Sequence, residues 1–185
     1  MPPGLALTGR PAGEFVGRRR GRALARRSFG YVLAAAAVIV YLATRNLHRP
    51  GASGLVILAG VCVALAAVAV AVRHARVRID KAGIAWGWRV GGVRMSRDRI
   101  ARVERYDDGA AVVPRRGSGW FLSARDWEGL DRLPAVLGRA EIGQTATATR
   151  APLRARLQGY GLALDLLCVA DAVVVTGALA VALLL

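Results

Sequence analysis

The chain has 185 residues, of which 55% are apolar, and it carries a formal net charge of +15. This hydrophobicity excludes a disordered chain. Having only two cysteines, both inside apolar segments, excludes a small domain held together by several disulfides. Most apolar residues fall into three blocks, so we expect lipid rather than water to surround three parts of the chain.

The first two blocks predict transmembrane helices. Residues 29–44 follow an arginine-rich run and contain no Lys, Arg, Asp or Glu. At about 1.5 Å per residue they are slightly short for a hydrocarbon core of about 30 Å. Residues 54–72 contain no charge and no proline and are long enough to cross. Residues 45–53 then form a short external loop.

The third block, residues 162–185, is long enough to cross but contains two aspartates. Asp165 lies near one end and is within reach of the membrane interface. Asp171 lies about 13 Å from Leu162 at helical rise, close to the midplane. An ionised carboxylate there costs about 2.5–3.5 kcal/mol, which a helix rich in Leu, Val and Ala offsets. We therefore predict a third transmembrane helix.

Asp171 is the candidate functional residue of this span. An intramembrane acid indicates proton or ion traffic, or pairing with a cationic helix of another protein, since the three blocks contain no Lys, Arg or His. The alternative is a protonated side chain that is hydrogen-bonded to Thr176, Tyr41 or a backbone carbonyl, or that faces a self-association interface.

The distribution of basic residues predicts the orientation. Residues 1–30 carry seven arginines and one acid, and residues 73–160 carry 18 basic and nine acidic side chains, against two arginines in 45–53. The positive-inside rule places the N-terminus and 73–160 in the cytoplasm and the C-terminus outside, as in a multi-pass inner (plasma) membrane protein. Five side chains before the first span are candidates for contact with the inner leaflet: Arg18, Arg19, Arg20, Arg26 and Arg27.

The segment Arg26-Arg27-Ser28-Phe29 resembles a twin-arginine export motif. No small-x-small cleavage site closes the following stretch, because Tyr41 occupies a position that requires a small residue, and a second span follows at once. We interpret the motif as a positively charged flank and keep an exported protein as a further alternative.

Beyond residue 73 the apolar residues alternate with a period of two, which predicts β-strands. Glycine-containing turns separate six short strands, and the three-residue spacing of Ile100 and Val103 predicts an irregularity in the fourth. The predicted strands are 77–79, 84–88, 93–95, 100–106, 110–113 and 120–122.

An amphipathic helix is predicted to close this meander. Ser123 stands three residues before Asp126, as in a capping box, and Pro134 is expected to bend or end the first part of the helix. Four apolar residues recur on one face, namely Trp127, Leu130, Leu133 and Leu137. Residues 141–161 form a linker, which either is a solvated tether or lies on the anionic inner leaflet through Leu153, Leu157 and the three arginines Arg150, Arg154 and Arg156.

The layout of two neighbouring spans, a strand, a turn ending in Gly83, and further strands resembles bacterial pleckstrin-homology-type (bPH-like) membrane proteins. The resemblance lies in residues 77–84, 93–95 and 98–103. It implies a PH-like antiparallel β meander closed by a C-terminal amphipathic helix, acting as a membrane-tethered binding or scaffolding module with an unknown ligand. Headgroup binding is not implied, because Arg78, Lys81 and Arg89 only thinly match the basic cluster of the eukaryotic relatives.

No catalytic, cofactor or metal site is predicted. His48 and His74 lie at opposite ends of the second span and cannot share a metal, and no serine has a nucleophile-elbow context. The basic charge follows from topology and composition, and no recognition module accompanies it, so we predict no nucleic-acid partner.

The sequence thus predicts a non-enzymatic integral membrane protein with three spans and a small cytoplasmic α+β module. The expected partners are the lipid bilayer and another membrane or cytoplasmic protein, or a second copy. The alternative is a small transporter or accessory membrane subunit that uses Asp171. The predicted segments are 1–28 (basic, cytoplasmic), 29–44 (span), 45–53 (external loop), 54–72 (span), 73–140 (β module), 141–161 (linker) and 162–185 (span).

Overall fold

A computed structural model describes residues 13–46, 48–88 and 91–184. The chain divides into two compact units. The helical unit comprises residues 19–73 and 162–185. The β module comprises residues 74–161 together with the strand that precedes residue 19.

Three helices of the described chain are long and apolar enough to cross a membrane: α1 (Arg19–Arg45), α2 (Ala52–Arg73) and α5 (Gly161–Leu184). At about 1.5 Å per residue they are about 40, 33 and 36 Å long. Helix α1 starts ten residues before the predicted span, so the arginine run is itself helical, in keeping with the high helix propensity of Arg, Ala and Leu.

The buried residues of each helix recur with alternating spacings of three and four, the heptad pattern of left-handed helix packing. Most of them are alanine, valine or cysteine, whose small side chains allow helices to approach closely. The outward faces carry large apolar side chains such as Ile57, Val68 and Val173. The seam residues are Ala25, Val32, Ala36, Ile39 and Ala43 in α1, Ala59, Cys62, Ala66, Ala69 and Arg73 in α2, and Leu164, Cys168, Asp171, Val175, Ala178 and Ala182 in α5.

The β module contains two sheets. The first has the strand order β4-β3-β2-β1-β8 and the second the order β7-β6-β5-β9; neighbours are antiparallel except for the parallel pair β5 and β9. Strands β2–β7 confirm the six predicted strands, and a register shift between Ile100 and Arg102 confirms the irregularity. The strands are β1 (Gly13–Gly17), β2 (Arg76–Asp80), β3 (Gly83–Trp88), β4 (Gly91–Ser96), β5 (Ile100–Tyr106), β6 (Gly109–Pro114), β7 (Trp120–Ser123), β8 (Trp127–Glu128) and β9 (Gln144–Ala146).

Strand β1 lies in the segment for which the sequence predicted only a basic flank. It pairs with β2 on one side and with β8 on the other, so the first sheet contains strands from both sides of the α1–α2 hairpin. One residue, Arg18, separates β1 from α1, and two residues separate α2 from β2. Five residues with glycine at both ends carry too little alternation to announce a strand, and only the pairing partners stabilise it.

The predicted capping box at Ser123 is wrong. The Ser123 hydroxyl accepts the N–H of Arg125 in a turn, and the chain continues into β8. The closing helix, α3 (Leu133–Arg139), begins after a 3₁₀ turn at residues 130–132. Pro134 lies in its first turn, where a backbone N–H would have no acceptor within the helix, so proline costs no hydrogen bond. The predicted linker contains β9 and one helical turn, α4 (Leu153–Arg156).

The core of the β module joins both sheets to α3. Val77, Ile79 and Ile84 come from the first sheet, Val103 and Val112 from the second, and Leu133, Val136 and Leu137 from α3. Phe15 of β1 is 2% exposed and belongs to the same cluster. Phe15, which precedes α1, therefore contributes to a core whose other described residues all follow α2.

Replacing Phe15 by alanine is expected to lower the free energy of unfolding of the β module by about 3 kcal/mol, because it leaves a cavity in this core. All four tryptophans lie between residues 86 and 127, so the tryptophan fluorescence of the full-length protein in detergent, excited selectively, reports on this module alone. The neighbouring Glu14→Ala removes surface ion pairs with Arg76 and Arg78 and serves as the control, with an expected loss below about 1 kcal/mol. Equal effects of the two substitutions would contradict the central position of β1.

Candidate functional site

Asp171 lies in the α5 seam and is 4% exposed. Neither carboxyl oxygen has a hydrogen-bond partner among the residues that the structure describes. The thiol of Cys62 in α2 lies against the carboxyl without the geometry of a hydrogen bond. A buried carboxyl in this condition is costly whether ionised or neutral, so its position requires a functional or structural explanation.

The alternative in which Asp171 forms a hydrogen bond with Thr176, Tyr41 or a backbone carbonyl is not seen among the described residues. The Thr176 hydroxyl donates to the carbonyl of Ala172 at 2.6 Å and accepts from the Tyr31 hydroxyl at 2.6 Å. Five residues along a helix amount to about 140° of rotation beyond a full turn, so Asp171 and Thr176 occupy different faces of α5. Tyr41 is exposed and lies beneath the Arg45 guanidinium, with 5.2 Å between that group and the ring centroid.

Asp165, the other aspartate of α5, forms an ion pair with Arg73, the last residue of α2. The Arg73 side chain is buried and packs against the α1 backbone at Gly21, where a Cβ atom would lie 2.9 Å from the guanidinium. Sequence reasoning missed this pair, although both residues lie near the same end of the predicted spans. The two aspartates therefore differ: Asp165 is charge-paired, and Asp171 has no hydrogen-bond partner among the described residues.

Polar seam groups lie on one side of Asp171. Ser28 of α1 donates a hydrogen bond to the carbonyl of Cys168 at 3.1 Å, one turn before Asp171, and the Arg73–Asp165 pair lies beyond it. Toward the C-terminal end of α5 the described seam is apolar, with Val175, Ala178 and Ala182. The described seam offers no continuous chain of polar side chains from one end of the unit to the other.

The five arginines proposed for inner-leaflet contact are all exposed. Arg19, Arg20, Arg26 and Arg27 lie in the first turns of α1, and the backbone N–H of Arg18 donates to the Asp126 carbonyl at 2.8 Å. The guanidinium of Arg27 borders an open, mainly apolar groove of about 490 Å³ between α1 and α5. Contact of these arginines with lipid stays a prediction.

The β module contains an open, mainly apolar cavity of about 420 Å³ between one end of the second sheet and the start of α3. Arg105, Asp107 and Asp131 are its charged lining residues, and Pro134 of α3 and Thr147 after β9 complete the wall. The Nε atom of Arg105 is buried and has no acceptor among the described residues. An oxygen acceptor, from water or from a ligand, would complete this N–H.

A short hydrogen bond flanks this cavity. The hydroxyl of Tyr106, which lines the cavity, donates to the Glu104 carboxylate at 2.7 Å. The bond, assisted by Arg102, lowers the pKa of Glu104, and the same bond raises the pKa of Tyr106. Both groups therefore keep their ordinary charges near neutral pH, with the acid ionised and the phenol protonated.

A second cavity, of about 210 Å³, is lined by aromatic and apolar side chains. Trp86 of β3 donates its indole N–H to the Tyr160 hydroxyl at 2.9 Å, and Val93 of β4 and Trp120 and Phe121 of β7 complete the wall. Sequence reasoning missed this cavity because Tyr160 lies far along the chain from Trp86, in a segment that was predicted to be a linker.

No known protein family matches this chain, and no curated protein or solved structure does so either. The resemblance to bPH-like proteins therefore stays a prediction. Within residues 13–46, 48–88 and 91–184, no group of three or more His, Cys, Asp or Glu side chains is placed to hold a metal ion.

The two aspartates of α5 are expected to respond oppositely to removal of their charge. Asp165→Asn leaves the buried Arg73 guanidinium without its counter-ion and lowers the free energy of unfolding of the helical unit by about 3 kcal/mol. Asp171→Leu removes a carboxyl without a hydrogen-bond partner and raises that free energy by about 1 kcal/mol or more. Thermal unfolding of the purified protein in detergent, followed by far-UV circular dichroism, measures both effects. Destabilisation by Asp171→Leu would show that this carboxyl is satisfied by a group outside the described chain.

Proposed function

We propose that this chain is a non-enzymatic integral membrane protein that displays a PH-like binding or scaffolding module at the cytoplasmic face of the inner (plasma) membrane. The observation that carries the proposal is the strand pairing of β1. Because β1 precedes α1 and β2 follows α2, the module is built on both sides of an apolar helical hairpin. A third connection runs from Tyr160 directly into α5. Such a module stays attached to its helices through three short connections.

The cytoplasmic orientation rests on charge. The start of α1 presents exposed arginines, and residues 73–160 carry a net charge of +9, whereas the connection between α1 and α2 has a single arginine, Arg49. Basic segments are retained on the cytoplasmic side of bacterial membranes. The PH-like interpretation is supported by two mainly antiparallel sheets and by the three side chains that α3 contributes to their common core.

The cavity between the second sheet and α3 supports a binding role. Its lining residue Arg105 has a buried Nε–H without an acceptor among the described residues, and we infer that a carboxylate or a peptide carbonyl of a partner protein supplies one. Strand β9 is exposed and forms an edge of the second sheet, and its last residue, Ala146, lines the same cavity. An edge strand beside a pocket is a common arrangement for binding an extended peptide, since the edge offers main-chain hydrogen bonds and the pocket offers selectivity.

A photoreactive amino acid at position 147 in the intact protein is expected to crosslink a discrete partner in cells. The same amino acid at Arg116, in the exposed loop between β6 and β7, is the matched control and gives no such adduct. Arg105→Leu abolishes the adduct from position 147 while the tryptophan fluorescence of the module stays unchanged. Equal adducts at both positions, or an adduct that survives Arg105→Leu, would overturn the proposed binding site.

The orientation is tested separately with reporter fusions after Asp108 and at Leu185. We expect cytoplasmic reporting from the first fusion and external reporting from the second. Cytoplasmic reporting from both would remove the third span from the proposal, and external reporting from the first would place the module on the other side of the membrane.

A small transporter or accessory subunit that uses Asp171 is the second candidate, favoured by the buried carboxyl that lacks a hydrogen bond. If it applies, proteoliposomes of the purified protein carry a cation or proton flux that Asp171→Asn abolishes and Asp171→Glu retains, with assembly unchanged in both. A flux that is absent, or that is the same in the wild type and in Asp171→Asn, rejects this candidate.

A further inference from the structure

Among the described residues of the β module, four large apolar side chains are exposed. They are Trp88 (40%), Val93 (59%), Leu153 (69%) and Leu157 (75%). All other large apolar residues of the described module are buried or half-buried. These four side chains therefore lie outside the core of the module and make up its exposed large apolar surface.

These residues belong to one region of the module. Val93 lines the aromatic cavity together with Gln158, the residue after Leu157, and the ring of Trp88 lies 5.4 Å from that of Trp86 in the same cavity wall. Leu153 and Leu157 are four residues apart and lie on one face of α4 and its last turn. Ala155 is directed toward Phe121 and Ala151, so the leucines are on the face that points away from the module.

Basic side chains border this patch. Arg150 and Arg154 are exposed, and Arg156 is an exposed arginine whose Nε lies 3.6 Å from Asp108. An exposed apolar face with an arginine border is typical of a segment at a membrane interface, where apolar side chains enter the headgroup boundary and guanidinium groups contact anionic phosphates.

Chain connectivity restricts where the patch can be. Four peptide units join Leu157 to Gly161, the first residue of α5. Even when fully extended, they span at most about 14 Å. If α5 crosses the bilayer, Leu157 is held within this distance of the point at which α5 enters the lipid. Lipid headgroups surround α5 at the point where it enters the bilayer. A partner protein that covered Leu157 would have to displace these headgroups.

We propose that α4 is an interfacial membrane contact, in which Leu153 and Leu157 enter the headgroup boundary of an anionic leaflet and Arg150 and Arg154 bind lipid phosphates. Trp88 and Val93 extend the apolar surface beside α4. This inference rests on the proposed function, because it requires α5 to span the membrane and the β module to lie on the side of the anionic leaflet.

The test uses the full-length protein in which Cys62 and Cys168 are replaced by alanine and Gln158→Cys carries an environment-sensitive fluorophore. It is reconstituted into vesicles of phosphatidylcholine alone or mixed with phosphatidylglycerol, each with a lipid-attached quencher at the headgroup boundary. We expect quenching and a blue-shifted emission in the anionic vesicles. Ser118→Cys, labelled in the exposed loop between β6 and β7, is the matched position and is expected to stay solvated in both.

Two sets of substitutions assign the effect. Leu153→Ser combined with Leu157→Ser abolishes the quenching at position 158. Arg150→Gln and Arg154→Gln each reduce the equilibrium constant for the lipid-contacting state roughly five-fold in anionic vesicles and leave it unchanged in phosphatidylcholine.

A label at position 158 that is unquenched in both lipids overturns the inference. If the label is unquenched in both kinds of vesicle but is shielded in native membranes, a protein rather than lipid covers the patch. This result also overturns the inference. The reporter at Leu185 distinguishes these outcomes from failure of the proposed function. An external C-terminus together with an unquenched label rejects the interfacial contact alone. A cytoplasmic C-terminus rejects the third span, on which both the contact and the proposed function depend.

Discussion

The pairing of β1 with β2 is the interaction on which the architecture depends. The two strands are joined by backbone hydrogen bonds along four residue pairs, although a complete helical hairpin lies between them in the sequence. Closing a long connection costs entropy that grows only slowly with its length. A hairpin of two helices also returns the chain to the end from which it left. Strands that are separated in the sequence by the apolar hairpin can therefore pair in one sheet, and burial of Phe15 stabilises this pairing.

This arrangement divides the predicted basic segment, residues 1–28, between both units. Residues 13–17 form a strand between two others, and residues 19–28 form the first turns of a long helix. One residue joins β1 to α1, two residues join α2 to β2, and the β module leads into α5 after Tyr160.

The helical unit shows how environment distinguishes two residues of the same type. Asp165 and Asp171 lie six residues apart in one helix, but Arg73 is directed to the first and no described side chain forms a hydrogen bond with the second. Asp171 also occupies a seam position at which α1 and α2 have alanine, valine and cysteine. A buried carboxyl without a hydrogen-bond partner among the described residues costs stability at such a position.

Local features of the sequence were sufficient to predict the three apolar helices and six strands of the module. Lipid-spanning segments require about 20 apolar residues, and strands such as Ile84–Trp88 show a clear period of two, so both signals lie within single segments. The bulge near Ile100 followed from the same alternation, because a three-residue spacing does not keep one face of a strand.

The features that the sequence did not reveal depend on partners that are distant in the chain. Strands β8 and β9 have only two and three residues, and β1 has glycine at both ends, so none of them displays a clear period. They are stabilised by the strands beside them. Ser123 and Asp126 match a capping box locally, yet the pairing of Trp127 with Gly17 takes the chain into a strand. The Arg73–Asp165 ion pair, the Trp86–Tyr160 hydrogen bond and the isolation of Asp171 arise in the same way. Local hydrophobicity determined which segments are helices and strands, and packing between residues far apart in the sequence decided which polar groups are satisfied.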